Sequence, residues 1–369
     1  RLYATGHIDF KGGDLIDFSE ALKVRQSNRE RLKKISKPMI VKRILPFLFA
    51  KTNVADLSQG FQDDTIGRNE SKRNNRDYIQ FHYDVSNEFY KLFLGSEMLY
   101  TCAYFKDWAN TLDQAQHDKL DMICRKLRLE PGDRMLDIGC GWGGLICHAA
   151  LHFGVKAHGI TLSQNQYDYA RTKIEQLELT DKVSVEICDY ADHFGTYDKI
   201  SSIGMSEHIG VANYPRYFNK INSLLRDRGL VLNHAIARSS KASKKSAARI
   251  RPERKFLLKY IFPGSELIPV GMTSDFMEQT GFEVHDVESW REHYAQTLRF
   301  WCKNLSANKD RAIELVGAER YRLWVAYLAG GSAGFTAGSI KIYQVVASKK
   351  ASKGVSGMPP TREHLYRAA

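Results

Sequence analysis

The run Leu136-Asp137-Ile138-Gly139-Cys140-Gly141-Trp142-Gly143-Gly144 constrains this chain more than any other stretch. Apolar residues around one acid read as the end of a strand, and a glycine-rich turn then opens a helix. An α/β sheet uses that junction to aim backbone N–H groups and a helix N-terminus at a ligand. Gly139 and Gly141 let the backbone turn tightly and approach the ligand closely. The run also satisfies the dinucleotide fingerprint G-x-G-x-x-G. A dinucleotide site calls for an acid about 20 residues further on, to hold the ribose hydroxyls. His158-Gly159-Ile160-Thr161-Leu162-Ser163 stands there instead and holds no acid.

Asp137, directly ahead of the glycines, suits the first motif of a methyltransferase. There the acid orients the amino group of S-adenosylmethionine. The flanking sequence supplies the matching scaffold. Ser86 caps a helix whose apolar face includes Phe89, Phe93 and Leu94, and a longer helix covers roughly 112–127. Strands are expected at 134–138, 155–161, 183–188, 199–203 and 229–237. Helices are expected at 143–153, 163–177 and 214–225, with Ser163 as a cap. This alternation predicts a mostly parallel, doubly wound sheet of the Rossmann-like class, with its site at the carboxyl ends of the strands.

The chain's 369 residues allow one large core plus an accessory region. Residues 1–60 read as a basic N-terminal accessory region whose start looks truncated, and 61–77 as a polar linker. The catalytic domain is expected over 78–350, and 351–369 reads as a flexible tail. Fifty-four basic residues against 42 acids give a formal charge of +12, which points to an anionic partner. The segment 238–259 concentrates nine cations against the single acid Glu253 and is a candidate membrane-facing insertion. The aromatic-interleaved basic strands of a nucleic-acid module are not seen. No apolar run approaches the roughly 20 residues needed to span a bilayer. Six cysteines without C-x-x-C pairs suit a reducing cytoplasm. The histidines show no ligand spacing, so none is assigned to a metal.

Further segments are dense in functional side chains: His82–Asn87, Tyr100–Phe105, Met205–Gly210, Asn233–Ile236 and His293–Leu298. Glu207 follows a strand and His234 lies near the end of another. Both therefore belong on the sheet's carboxyl edge, as acid–base or anion-organising groups. Taken singly, Cys102 reads as a buried thiol and His234 as a core histidine. His208 and His293 read as structural.

With these segments in place, the chain resembles the cyclopropane-fatty-acyl-phospholipid synthases, the family that includes the mycolic acid cyclopropane synthases. The likeness runs from about Tyr78 to Ser348. It is carried by Phe81–Leu94, Tyr100–Phe105, the glycine turn, Gly159–Gln166, Ser206–Gly210, His234–Ile236, Lys259–Gly264, Tyr294–Trp301 and Tyr343–Ser348. The resemblance implies a class I methyltransferase fold with a helical acyl-binding cap. It implies methyl transfer to the cis double bond of a phospholipid acyl chain, then proton loss and ring closure, with S-adenosylmethionine as cosubstrate and bound bicarbonate as base.

Carried over residue by residue, the resemblance gives Cys102 and Ile236 as backbone N–H donors to the bicarbonate. His234 and Tyr294 become side-chain donors, and Glu207 the acceptor that polarises the ion. Tyr83, Tyr100 and Thr101 would wrap the methionine and sulfonium end, with Asp137, Gly139 and Gly141 beside it. Thr161 and Gln166 would hold the ribose, and Asp189 and Tyr190 the adenine. Tyr104, Phe105 and Trp301 could face the carbocation. The implied partner is the acyl chain at an anionic membrane surface, on the cytoplasmic side and without insertion. A homodimer is left open. Three alternatives remain: a relative giving methyl-branched or hydroxylated chains, an RNA or small-amine methyltransferase, and a non-catalytic lipid-binding protein.

Overall fold

A computed structural model of the protein describes residues 3–10, 15–17, 38, 41, 45, 85–240, 258–262, 264–351 and 354–366. Tyr83, the linker 61–77, nearly all of residues 1–60 beyond position 17, and 241–257 of the basic insertion lie outside the described residues.

Seven strands form one sheet: β1 (Arg134–Ile138), β2 (Lys156–Thr161), β3 (Val183–Ile187), β4 (Tyr197–Ile203), β5 (Leu225–Arg238), β6 (Phe282–Ser289) and β7 (Ile340–Lys349). Their order is β3-β2-β1-β4-β5-β7-β6. The first five pair in parallel. β7 runs antiparallel between β5 and β6. The order reverses at β1 and β4, so a crevice opens beyond their carboxyl ends.

Helices α1 (Asn87–Leu94), α2 (Leu112–Lys126), α3 (Gly144–Phe153) and α4 (Gln164–Gln176) precede β4. Ser86 and Ser163 accept from Phe89 N and Gln166 N, so both expected caps are made. The central strands are covered on both faces, hence near-continuous apolar runs such as Met135, Leu136 and Ile138. One face packs Met135 and Ala157 with Ile123, Leu127, Ile146 and Ala149 of α2 and α3. The other packs Leu136, Ile138, Ile200 and Val231 against α6 (Tyr214–Leu224), through Tyr217, Phe218 and Ile221. The short α5 (Ser206–Ile209) follows β4, and α7 (Val270–Gln279) leads to β6.

A third cluster is aromatic and helical. It joins α1 to α8 (Arg291–Ala307) and α9 (Lys309–Thr336), which is broken at Gly317. Phe89, Tyr90, Phe93, Trp301 and Trp324 are its centre, with ring centroids 5.5–6.3 Å apart. This is the expected helical cap beside the sheet edge. Part of the N-terminal region rests on it: Arg322 of α9 donates to Tyr3 O and to Asp9, and Ile16 is buried in the cluster.

The C-terminal tail departs from the flexible reading. Arg362 pairs with Asp286 at 2.8 Å, Arg128 donates to Gly357 O at 2.6 Å, and Leu365 is buried. Leu365, Met358 and two charged anchors hold a segment whose composition alone looks loose.

Candidate functional site: a cofactor cleft and a buried acid–base pair

A cleft with an empty volume of about 910 Å³, part of it open to solvent, lies at the carboxyl ends of β1, β2 and β4. Eight of the ten residues expected to hold the cofactor line it: Tyr100, Thr101, Asp137, Gly139, Gly141, Thr161, Gln166 and Tyr190. Gly139 (φ +80°) and Gly141 (φ +56°) both need the left-handed backbone region. A Cβ on Gly139 would stand 2.5 Å from Met205 Sδ, whereas one on Gly141 would meet no atom within 4 Å. The first glycine makes room for protein, the second leaves room for ligand.

Thr161 donates to Gln166 Oε1 at 2.8 Å, and its own oxygen accepts from Ser163 N. The Gln166 amide group is thereby oriented, which is what a neutral ribose site requires. Burial pushes the Tyr190 phenol up to about 12 and keeps it neutral. Asp189 lies between the lining residues Cys188 and Tyr190; its carboxylate accepts from Ala191 N at 2.9 Å and shapes the turn after β3.

Sequence reasoning missed Lys119. It lies on α2, is 1% exposed, lines the cleft and donates to Thr101 Oγ1 at 2.9 Å. Burial lowers its pKa to about 8, opposed by the attraction of Asp137. Burial in turn raises Asp137 to about 6, opposed by the hydrogen bond from Ser201 at 2.6 Å and by Lys119. A buried lysine and aspartate thus steady one another where a zwitterionic ligand end would sit.

Trp290, which was not anticipated, links three of the five residues expected to act on the proton, through its main-chain carbonyl and its ring. Cys102 Sγ donates to Trp290 O at 3.7 Å. The His234 ring meets the Trp290 ring edge-on at 5.2 Å. Tyr294 N donates to Trp290 O at 3.0 Å. Trp290 N donates to the carbonyl of Ile342, the cross-strand partner of Ile236. Ile236 N in turn donates to Glu207 Oε1 at 2.6 Å. That last bond corrects one expectation: the Ile236 N–H is engaged by Glu207, not offered to a ligand.

Glu207 and His234 are both buried. Desolvation raises Glu207 to about 7, opposed by the Ile236 N–H. Desolvation drives His234 well below its ordinary value, so its ring is neutral. Gln344 Nε2 donates to His234 Nδ1 at 3.0 Å, which places the ring proton on Nε2. Among the described residues, Glu207 Oε2 and His234 Nε2 are buried without a hydrogen-bond partner. One buried acceptor and one buried donor in this state call for a small polar guest. Burial also keeps the Cys102 thiol protonated, so it is no nucleophile. Trp301 is fully buried, against Tyr100 at 5.3 Å and Tyr294 at 6.0 Å. His293 accepts from Phe105 N at 3.0 Å, in keeping with a structural part.

The model of the mycolic acid cyclopropane synthetase family matches residues 70–345. This chain belongs to that family. It is 44% identical over 302 residues to a "Probable fatty acid methyltransferase" of Pseudomonas putida, covering 81% of this chain and 76% of that one. It is 35% identical over 276 residues to Cyclopropane mycolic acid synthase 3 of Mycobacterium tuberculosis, covering 73% and 96%. Among solved structures, mycolic acid cyclopropane synthase CmaA1, complexed with SAH and CTAB, superposes with a TM-score of 0.71. The two share 34% identity, over 76% of this chain and 100% of that one. The family member described here is accordingly an S-adenosylmethionine-dependent methyltransferase acting on lipids.

Proposed function

We propose that this enzyme converts a cis double bond in a phospholipid acyl chain into a cyclopropane. The observation that carries the reading is that Glu207 Oε2 and His234 Nε2 are each buried with no hydrogen-bond partner among the described residues, on segments next to the cleft-lining Gly204, Met205 and His208. S-adenosylmethionine, when bound, supplies an electrophilic methyl group. An alkene that takes the methyl is left as a carbocation, and loss of a proton from the new methyl closes the ring. Water would trap the cation as an alcohol, so the site must stay dry. The aromatic cluster of Phe93, Tyr100, Trp301 and Trp324 supplies that dryness and offers faces to a cation.

The residues present fit bicarbonate, which when bound would supply the base. His234 Nε2–H and the Tyr294 hydroxyl would donate to the ion, and Glu207 would accept from its protonated oxygen. Such charge-assisted bonds offset the cost of burying an anion. The Ile236 N–H fixes Glu207 for that task. The same reading places the enzyme on the cytoplasmic face of an anionic membrane, docked through the basic run that includes Lys241, Lys244 and Lys245. No helix among the described residues is long and apolar enough to cross a membrane.

The test is mass spectrometry of phospholipid acyl chains incubated with methyl-labelled S-adenosylmethionine. A gain of one methylene with loss of the alkene is expected. A second reading, a methyl-branched or hydroxylated product, draws support from the 44% match to a protein named as a fatty acid methyltransferase. A branch or hydroxyl in the labelled chain would select it.

A further inference from the structure

Three histidines lie together on the outer face of α2 and α3, apart from the residues that line the cleft. His148 and His152 stand four residues apart on α3, and His117 and Asp121 four apart on the neighbouring α2. A spacing of four puts both members of each pair on one helix face. The two faces meet: ring centroids of His117, His148 and His152 are 5.0, 5.8 and 4.4 Å apart. One ligand nitrogen from each ring lies within 4.8 Å of the other two. Asp121 Oδ1 stands 3.1 Å from Nε2 of the buried His148.

We propose that His117, His148 and His152 form a surface site for a divalent cation of the zinc class, with Asp121 orienting His148 from behind. Three imidazoles suit borderline cations such as zinc, nickel or copper, and not magnesium or calcium. Zinc binds imidazole nitrogen at about 2.0–2.1 Å in tetrahedral geometry, which sets its nitrogens roughly 3.3–3.4 Å apart, so donors now within 4.8 Å of one another must draw together. His117 and His152 are exposed and can rotate to do so. The carboxylate behind a ligating histidine is a recurrent companion of such sites. Asp121 already engages Nε2 of His148 and fixes the orientation of that ring.

The placement suggests a purpose. α3 opens at the glycine turn, and α2 carries Lys119 to the cofactor cleft. A cation bridging the two helices would fasten both walls of that cleft from outside.

The test uses the full chain, stripped with a chelator and titrated with zinc chloride by calorimetry. The wild type takes up zinc, and its melting temperature rises with zinc concentration. The double variant His117→Asn/His152→Gln, whose changes lie on exposed side chains, loses one equivalent of zinc and the accompanying shift. It still binds S-adenosylhomocysteine, which shows that it is folded. Asp121→Asn weakens the same equivalent about 10- to 100-fold. A second cluster, His158, Glu186 and His193, could also attract the ion, so His158→Gln serves as a control that retains the equivalent assigned here. Unchanged zinc stoichiometry in the double variant, or no uptake by the wild type, overturns the proposal.

Discussion

The main-chain N–H of Ile236 donates to Glu207 Oε1 at 2.6 Å, while Glu207 Oε2 is buried with no partner among the described residues. One oxygen is thus anchored by the protein and the other is held ready for a guest. Glu207→Gln keeps an oxygen for Ile236 and removes the charge. Turnover should fall about 100- to 10,000-fold, the usual worth of a positioned acid–base group. Affinity for S-adenosylmethionine should stay within a few-fold of the wild type. Initial rates with labelled cofactor, alongside calorimetric binding, separate the two quantities. Undiminished turnover in this variant would remove Glu207 from the mechanism. Purging dissolved carbon dioxide should lower wild-type activity reversibly, and an unaffected rate would point to a different base.

The same carboxyl gives a pH prediction for stability. Its pKa is about 4.5 when unfolded and about 7 in the folded protein, because burial disfavours the charge. The contribution of the neutral carboxyl is fully present below pH 4.5 and is lost as the pH rises through 7. The difference is on the order of 3 kcal/mol for the ligand-free chain. Glu207→Gln should therefore unfold at higher urea than the wild type at pH 8, with the gap closing near pH 4. Asp137, raised to about 6, bends the wild-type curve in the same direction. Parallel curves for variant and wild type across that range would show that Glu207 is not desolvated.

Lys119 offers a sharper test of the cleft. Lys119→Met preserves length and burial but removes the cation that faces Thr101 and opposes the rise of Asp137. A carboxylate deprived of a buried partner drifts further toward its neutral form. S-adenosylhomocysteine affinity should fall about tenfold or more. The loss should be greater at pH 6 than at pH 8, where Asp137 ionises in either protein. A pH-independent loss would indicate that Lys119 acts by packing alone.

What the sequence discloses and what it hides divides along a physical line. The glycine turn was legible as a strand-to-helix junction, whereas Thr161, Gln166 and Tyr190 came from the resemblance to the family, and the fold brings them to the ends of adjacent strands. Lys119 was not, since a lysine on an amphipathic helix ordinarily points to solvent, and only the fold shows this one turned inward. Trp290 was hidden for a similar reason. Its importance lies in touching Cys102, His234 and Tyr294, which are far apart in the chain. The sheet beyond β5 was also obscure: β7 enters between β5 and β6, out of chain order, and no local pattern announces that. The expectation that the histidines show no ligand spacing overlooked His148 and His152, four residues apart on α3, because His117, which completes the proposed set, comes from another helix. The caps at Ser86 and Ser163 depend on three-residue contacts and were read correctly.

The basic run makes a separate prediction about the membrane. Each cation near an anionic surface contributes about 1 kcal/mol at physiological salt. Replacing Lys241, Lys244 and Lys245 by glutamine should weaken binding to phosphatidylglycerol vesicles about 100-fold, with a shallower salt dependence. Vesicle sedimentation across a salt series measures both. Equal binding by variant and wild type would move the docking surface elsewhere on the chain.

Gly139 and Gly141 should fail in different ways when replaced by alanine. Both carry positive φ, so each change costs roughly 1–2 kcal/mol of backbone strain. At Gly139 the added methyl also collides with Met205, whose sulfur lies 2.5 Å from the new carbon. Overpacking of that kind adds about 1–3 kcal/mol. Gly139→Ala should therefore lose stability markedly, with cofactor binding declining as the turn distorts. At Gly141 the methyl meets nothing in the free protein and projects into the space a ligand would occupy. Gly141→Ala should keep its urea midpoint closer to the wild type while its S-adenosylhomocysteine affinity drops tenfold or more. If instead Gly141→Ala binds normally, the ligand does not pass over that glycine, and the cleft is not read correctly at the turn that first defined it.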